Sequence, residues 1–459
     1  MTGGLRQPGA ILLVSCYELG HQPLGLAWPR AFLERAGYAP ETLDLAVEPL
    51  DADTVRQARL VAISVPMHTA LRLGARAAEQ VRRLNASCQI VFYGLYALLN
   101  AAYLRTRGAA AVLGGELEEA LVALVRRLDA GEDPATEPRA TLERLPFPPP
   151  SRAGLPALTR YVSLSRTGRR VPAGYVEASR GCLHTCLHCP VPAVYGGRFF
   201  TVPRDVVLTD IRRLVAAGAG HITFGDPDFL NGPGHAVKLV RALHQEFPDV
   251  SYDFTAKIEH VLEQRRLFPE FGATGCAFVV SAVESLSDTV LAQLDKGHTK
   301  ADVLAALGIL RDAGIPLRPS FVPFTPWATL DDYLELLGFV EAEGLIDHVD
   351  PVQYTIRLLI PPGSLLLTQP AIRPFLGPLD AAAFTYRCRH PDPRVDELQR
   401  DASVLVERAA GSSEDPWTTF YRLRVLAAER AGLPGATGGV ASPPPERPIP
   451  ARLTEPWFC

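Results

Sequence analysis

The stretch EASRGCLHTCLHCPVPAVYGGR, residues 177–198, holds three of the chain's eight cysteines, Cys182, Cys186 and Cys189, spaced C-x3-C-x2-C. Clustered thiolates serve two chemistries. A structural zinc wants four closed ligands, and here the fourth would have to be His184, His188 or the distant Cys276. An iron–sulfur cluster normally takes four cysteines. With three, one iron stays open to another ligand, as a catalytic metal keeps an open position. On that reading the missing ligand is the functional site.

The surroundings of this loop set the fold class. Residues 10–127 alternate short apolar runs (AILLVS, LVAISVP, QIVFYG, AAVLGG) with amphipathic stretches such as LAWPRAFLERAG, where Pro29 is expected near the helix start and Gly37 at its end. That alternation predicts a doubly wound α/β domain with a parallel sheet over residues 1–135. A proline-rich linker, 136–160, is expected to form no packed element. From 161 to 367 the alternation resumes, with strands expected at GYVEAS, HITFGD, YDFTAK, CAFVVSAVE, LRPSFVPF and VQYTIRLLI. Six strand–helix units are short of the eight of a closed barrel and predict a partial (β/α)6 barrel. A helical C-terminal region, 368–432, and a Pro/Gly-rich tail, 433–459, complete the expected order.

Composition narrows the function classes. Net charge is 46 − 50 = −4, which gives no reason to expect nucleic acid or an anionic membrane as partner. Four of the basic residues are lysines: Lys238, Lys257, Lys296 and Lys300. AILLVS is too short for a signal or a membrane span, so the chain reads as cytoplasmic, with thiols kept reduced as ligands or reactive groups.

C-x3-C-x2-C on a loop after the first strand of a partial barrel resembles the radical S-adenosylmethionine (SAM) enzymes. The resemblance implies that Cys182, Cys186 and Cys189 hold a 4Fe-4S cluster whose fourth iron is chelated by the amino and carboxylate groups of SAM. It also implies an aromatic residue before the third cysteine, where this chain has His188, a departure that bears on the adenine contact. FGDPDF (224–229) resembles the segment that holds the SAM amino group, which makes Gly225, Asp226 and Asp228 candidates; carboxylates suit an ammonium, although Gly, Asp and Pro also make ordinary turns. Lys257 is placed near the SAM carboxylate. Ser281 and Glu284, in SAVES, are placed near ribose or methionine, and IRLLIPPGS resembles the last strand. The class further implies a one-electron donor such as flavodoxin or ferredoxin and a small-molecule substrate.

The first domain resembles the cobalamin-binding-like domain that precedes many radical SAM barrels. The cobalt-ligating D-x-H-x-x-G is not evident, and His21 and His68 read as loop or interface histidines, which favours a structural domain over bound cobalamin. FGDPDFLNGP, LDKGHT, FVPFTPW, RHPDPRVDELQ and the terminal EPWFC resemble the radical SAM proteins named for a CUAEP or CCAEP tail, and within them the enzymes of arsinothricin biosynthesis. That resemblance implies transfer of a 3-amino-3-carboxypropyl group from SAM to trivalent arsenic. Arsenite prefers thiolates, so Cys459, with Cys276 or Cys388, is the expected substrate anchor. Cys276 also reads as a buried core residue. The arginines around Cys388 are expected to favour its thiolate, in what reads as a surface loop. Three alternatives remain: hydrogen abstraction by a 5′-deoxyadenosyl radical, cobalamin-dependent methylation, and a non-enzymatic zinc or iron–sulfur protein.

Overall fold

The computed structural model describes residues 4–134, 139–166, 168–433, 443–444 and 446–455. Among these, a six-stranded parallel sheet comes first: β1 (Ile11–Ser15), β2 (Glu41–Asp44), β3 (Leu60–Ser64), β4 (Gln89–Tyr93), β5 (Ala111–Gly115) and β6 (Arg139–Thr141), in the order β2-β1-β3-β4-β5-β6. β1, β3 and β5 are buried at every position, as continuous apolar runs require when helices cover both faces. The sheet runs to Thr141, beyond the expected boundary at 135, because residues 139–145 are free of proline and can pair at the edge.

Helix 24–35 departs from its sequence reading. It starts at Leu24, so Pro29 lies inside it rather than near its start. An internal proline frees the carbonyl four residues back, here that of Gly25. The hydroxyl of Tyr93 donates to that carbonyl at 2.6 Å. At the helix start, Glu18 accepts from Leu24 N at 2.8 Å and from Gly25 N. The kink-prone helix is thus stitched to the sheet at both of its weak points.

The expected linker is packed. Leu145, Phe147 and Leu158 are buried in the core cluster that runs from helix 24–35 into the second sheet, and Phe147 meets Trp28 edge-on at 4.8 Å. Prolines preclude regular structure there but leave apolar side chains free to pack. Arg152 clamps the segment to the barrel through Asp210, at 2.9 and 2.8 Å.

The second sheet begins with a hairpin, β7 (Ser163–Arg166) and β8 (Arg169–Val176). The cysteine loop opens with β9 (Ser179–Gly181) and closes with β10 (Phe199–Thr201). Then come β11 (His221–Phe224), β12 (Ser251–Thr255), β13 (Cys276–Glu284) and β14 (Leu317–Phe321), all parallel to β8. The expected sixth strand is absent among the described residues: 351–354 form a 3-10 turn, and a single bridge joins Phe324 to Arg357. Gln353 supplies the reason. Its side-chain carbonyl takes the Phe321 N–H at 3.1 Å, so a side chain caps the edge that another strand would have used.

The region 368–432 is not wholly helical. Helices 393–411 and 416–430 follow the expectation, but β15 (Leu376–Asp380) and β16 (Thr385–Cys388) make a hairpin before them. Pro374, Gly377 and Pro378 disfavour a helix there. Near its tip Phe384 adopts φ +57° and is buried in the core of the first domain, edge-on to Tyr103 at 5.1 Å. Finally β17 (Arg452–Leu453) pairs antiparallel with β7 and so runs in the same sense as β8. No helix among the described residues is long and apolar enough to cross a membrane.

Tyr93→Phe removes the donor to the Gly25 carbonyl while keeping the ring. We expect a loss of about 1–3 kcal/mol, the cost of an unsatisfied buried acceptor, read as a lower denaturant midpoint. A midpoint equal to the parent's would mean the carbonyl finds another donor.

Candidate active site at the barrel mouth

The cysteine loop leaves the carboxyl end of β8 and is pinched at its base by the β9–β10 ribbon. Gly181, at φ +76°, is required: a Cβ there would lie 2.3 Å from the Arg198 carbonyl and 2.6 Å from the Tyr195 ring. Cys182 N donates to that same carbonyl at 3.0 Å, Cys189 N to Cys186 O at 3.1 Å, and Leu187 N to Leu294 O at 3.0 Å. Cys189 caps a helical turn, Pro190–Tyr195. Asn231 accepts from Leu183 N at 3.2 Å and lies 3.8 Å from the Cys182 sulfur, while its buried amide nitrogen has no partner. Burial raises the Cys182 thiol and pushes Cys189 up to about 12, the neighbouring cysteines adding to both. The donor set suits an iron–sulfur cluster: three thiols on one short loop, with a buried and unspent amide N–H on the neighbouring Asn231.

The candidates in FGDPDF fall into distinct places. Gly225 is a close-approach position, since a Cβ would sit 2.1 Å from the Tyr175 ring. Asp226 is buried and accepts from Ala178 N at 2.9 Å and Ser179 Oγ at 2.5 Å, so it fixes the start of the cysteine loop. Burial pushes its carboxyl up to about 7 against those two bonds. Asp228 accepts from Leu230 N, Lys257 N and His260 Nδ1 at 2.9–3.1 Å. Both carboxylates are thus engaged by the chain itself.

Glu284 ends β13 at a register shift, with φ +66°. A non-glycine residue held there is strain of the kind found at functional sites. His188 Nε2 contacts its carboxylate at 3.0 Å and Lys296 Nζ donates to it at 3.3 Å. Burial opposes ionisation, but Lys296 and His188 outweigh it and hold Glu284 down at about 2. His188, the departure before the third cysteine, is therefore a direct partner of a buried carboxylate. Lys257 follows β12, with its ammonium on Glu259 at 3.0 Å. Ser281 is fully buried and its hydroxyl has no partner. It shares a strand face with Val279 and Val283, which pack in the main core, so it faces the helices rather than the lumen.

The three outlying cysteines separate. Cys276 stands at the amino end of β13, eight residues from Glu284 and so about 26 Å from the mouth. Burial raises its thiol far above the usual range, with Asp253 adding to it. It cannot anchor a substrate at the cysteine loop, and the core reading holds. Cys388 lies on a strand, not a surface loop, and packs in one apolar cluster with Leu187 of the cysteine loop. Burial pushes its thiol up to about 11 despite Arg357. The expected thiolate is therefore disfavoured, because Arg357 spends its guanidinium on the Cys388 carbonyl and on Asp396. Cys459 lies outside the described residues.

Sequence reasoning passed over several residues that the fold brings here. Arg180, two residues before Cys182, donates to Glu118 at 2.7 Å and Glu177 at 2.8 Å, stands 3.8 Å from Glu116, and lies over the Phe147 ring at 4.9 Å. Tyr195 donates to Glu116 at 3.1 Å, and burial pushes that carboxyl up to about 7 against the pull of Arg180. Asn231, Lys296 and His260 were also missed. Lysine scarcity was an available signal, since Lys257 and Lys296 are both buried at the mouth.

Residues 176–340 match the model of the Radical SAM superfamily. These residues carry a radical SAM domain, the class that works with a 4Fe-4S cluster and SAM. Among solved structures it is similar to the cobalamin-dependent S-adenosylmethionine radical enzyme OxsB with aqua-cobalamin bound (TM-score 0.68, 16% identity, covering 89% of this chain and 68% of that one). It is also similar to the radical SAM methyltransferase TsrM from Kitasatospora setae with cobalamin and 4Fe-4S cluster bound (TM-score 0.58, 18% identity, 74% of each chain). Among curated proteins it resembles the ribosomal protein uS12 methylthiotransferase RimO of Methylococcus capsulatus (26% identity, 39% of this chain and 45% of that protein). The tRNA-2-methylthio-N(6)-dimethylallyladenosine synthase of Desulfosudis oleivorans is 28% identical over 41% of this chain and 42% of its own length. The chain thus matches less than half the length of either.

Arg180→Met leaves Glu116 and Glu118 buried without their cation. We expect a loss of about 3–5 kcal/mol, as for a broken buried pair, and partial recovery on adding Glu118→Gln. Equal denaturant midpoints for parent and Arg180→Met would show that the network contributes nothing to stability.

Proposed function

We propose that this enzyme moves a group from SAM onto a small thiophilic acceptor, with Cys182, Cys186 and Cys189 as cluster ligands. The bound cluster supplies one electron to the SAM sulfonium, and the protein supplies orientation and exclusion of water. His188, Glu284 and Lys296 wall one side of the mouth. The group proposed is 3-amino-3-carboxypropyl and the acceptor trivalent arsenic. The bond from this group to the SAM sulfur breaks and leaves methylthioadenosine, and its carbon bonds to arsenic. A second electron from the one-electron donor, with loss of one hydroxide from arsenic, returns arsenic to the trivalent state.

The course of the tail carries this reading. β17 runs toward the carboxyl ends of the barrel strands, and Ala451 and Leu453 pack with Phe278 and Val280 across the lumen. Thr454 N donates to Ser163 O at 2.9 Å, and the Glu455 carboxylate accepts from Tyr17. From Glu455 the chain has four more residues, ending in Cys459. We assign Cys459, four residues after Glu455, as the soft ligand that suits a soft substrate.

Cobalamin supports a second reading through the two similar solved structures that hold it. Here, however, the crevice at the carboxyl ends of the first sheet is filled by the chain's own groups. Glu18 caps helix 24–35, Phe384 inserts beside Tyr103, His68 Nε2 sits on the Ala383 carbonyl at 2.8 Å, and His21 stacks on Tyr175 at 4.6 Å. Neither histidine is placed to ligate cobalt, and we read this domain as structural.

The test is anaerobic turnover of the reconstituted enzyme with SAM and a strong reductant, with and without arsenite, followed by mass spectrometry of the nucleoside. Methylthioadenosine increased by arsenite is the expected result. 5′-Deoxyadenosine alone, indifferent to arsenite, rejects the aminocarboxypropyl course; tight uptake of hydroxocobalamin favours the methylase reading. Cys459→Ala should keep cluster content and SAM binding but lower product at least tenfold, and unchanged turnover rejects the role of the tail.

A further inference from the structure

Three polar clusters lie near the cysteine loop, and two are already accounted for: the Arg180 network clamps domains, and Glu284 pairs with His188 and Lys296. The third has no assigned task. His184, between the first two cysteines, brings its Nε2 to 3.2 Å from the Nε2 of His260, with ring centroids 4.5 Å apart. His260 presents its other nitrogen, Nδ1, to Asp228 Oδ2 at 2.9 Å. His184 presents its Nδ1 to Glu259 Oε2 at 3.5 Å, and its Nε2 stands 3.9 Å from Asp228 Oδ2.

We propose that His184 and His260, with Asp228 and Glu259 behind their rings, form a site for a divalent cation of the zinc type, separate from the three thiols. Imidazoles that ligate metals usually turn the second ring nitrogen to a carboxylate, which fixes the tautomer and bares the lone pair of the first. Both histidines follow that pattern here, and their bared nitrogens converge. Two nitrogens bound to one tetrahedral ion at about 2.0–2.1 Å stand about 3.3 Å apart, close to the 3.2 Å observed. One ligand atom from each of His184, His260 and Asp228 lies within 4.8 Å of the others. Local charge also favours a cation: Asp228 and Glu259 face the pair, and the one nearby ammonium, Lys257, is spent on Glu259. Imidazole donors without sulfur suit zinc-like ions over the soft metals that thiolates hold. Two protein ligands leave the remaining positions to water or other small ligands. This site stands whether or not arsenic is the acceptor, because it uses none of the residues that argue for it.

The competing account is a plain N–H···N hydrogen bond between two imidazoles, and metal content separates the two. The full chain, reconstituted with iron and sulfide, is equilibrated with buffered Zn2+, desalted and assayed for iron, sulfide and zinc. The expected parent carries full iron and sulfide plus about one zinc. His184→Ala and His260→Ala should each lose that zinc yet keep the parent's iron and sulfide, which also shows that they fold. X-ray absorption at the zinc edge should show nitrogen and oxygen neighbours with imidazole scattering. A parent without zinc, zinc retained in both variants, sulfur in the zinc shell, or iron and zinc lost together would each overturn the proposal.

Discussion

The site depends first on the guanidinium of Arg180. This side chain leaves the strand that opens the cysteine loop, is almost wholly withdrawn from solvent, and is held by carboxylates from both domains. Withdrawing such a charge from water costs several kcal/mol unless each donor finds a partner. The first domain provides those partners from the turn after β5 and the start of the following helix. Rotating the two sheets apart would strand the arginine and two acids together. The interface is thereby fixed by electrostatics at the one place where a loop must hold three sulfurs in register, with the Phe147 and Trp28 rings completing the cage.

Much of this architecture was legible in the sequence, for reasons that can be named. Continuous apolar runs such as AILLVS and LVAISVP declare buried parallel strands, and the cysteine spacing declares its loop. What escaped notice depended on single side chains doing backbone work. Tyr93 satisfies a carbonyl freed by Pro29, so a helix begins five residues before the proline that seemed to start it. Gln353 caps an edge, so an expected strand becomes a turn. Periodicity reports neither.

The site divides along the same line. The three cysteines and the order of the segments behind them could be read directly, because they are local motifs. The partners of Asp226, Asp228 and Glu284 could not, since each is bound by residues between 29 and 96 positions away or by the backbone of another strand. Cys276 and Cys388 show the converse error. Soft chemistry made them attractive, but location on a strand and burial decide whether a thiol can act, and neither property is carried by the residue type.

The pairing of β17 with β7 is closed by a hydrogen bond from Ser163 N to Thr454 Oγ1 that spans 291 residues along the chain. During synthesis β7 emerges early and offers an unpaired edge until residue 453 has cleared the ribosome. Loop closure over that distance is slow, and an open edge is a template for wrong partners. Pairing of this edge is therefore a late event in the life of each molecule, and until then β7 has β8 alone beside it.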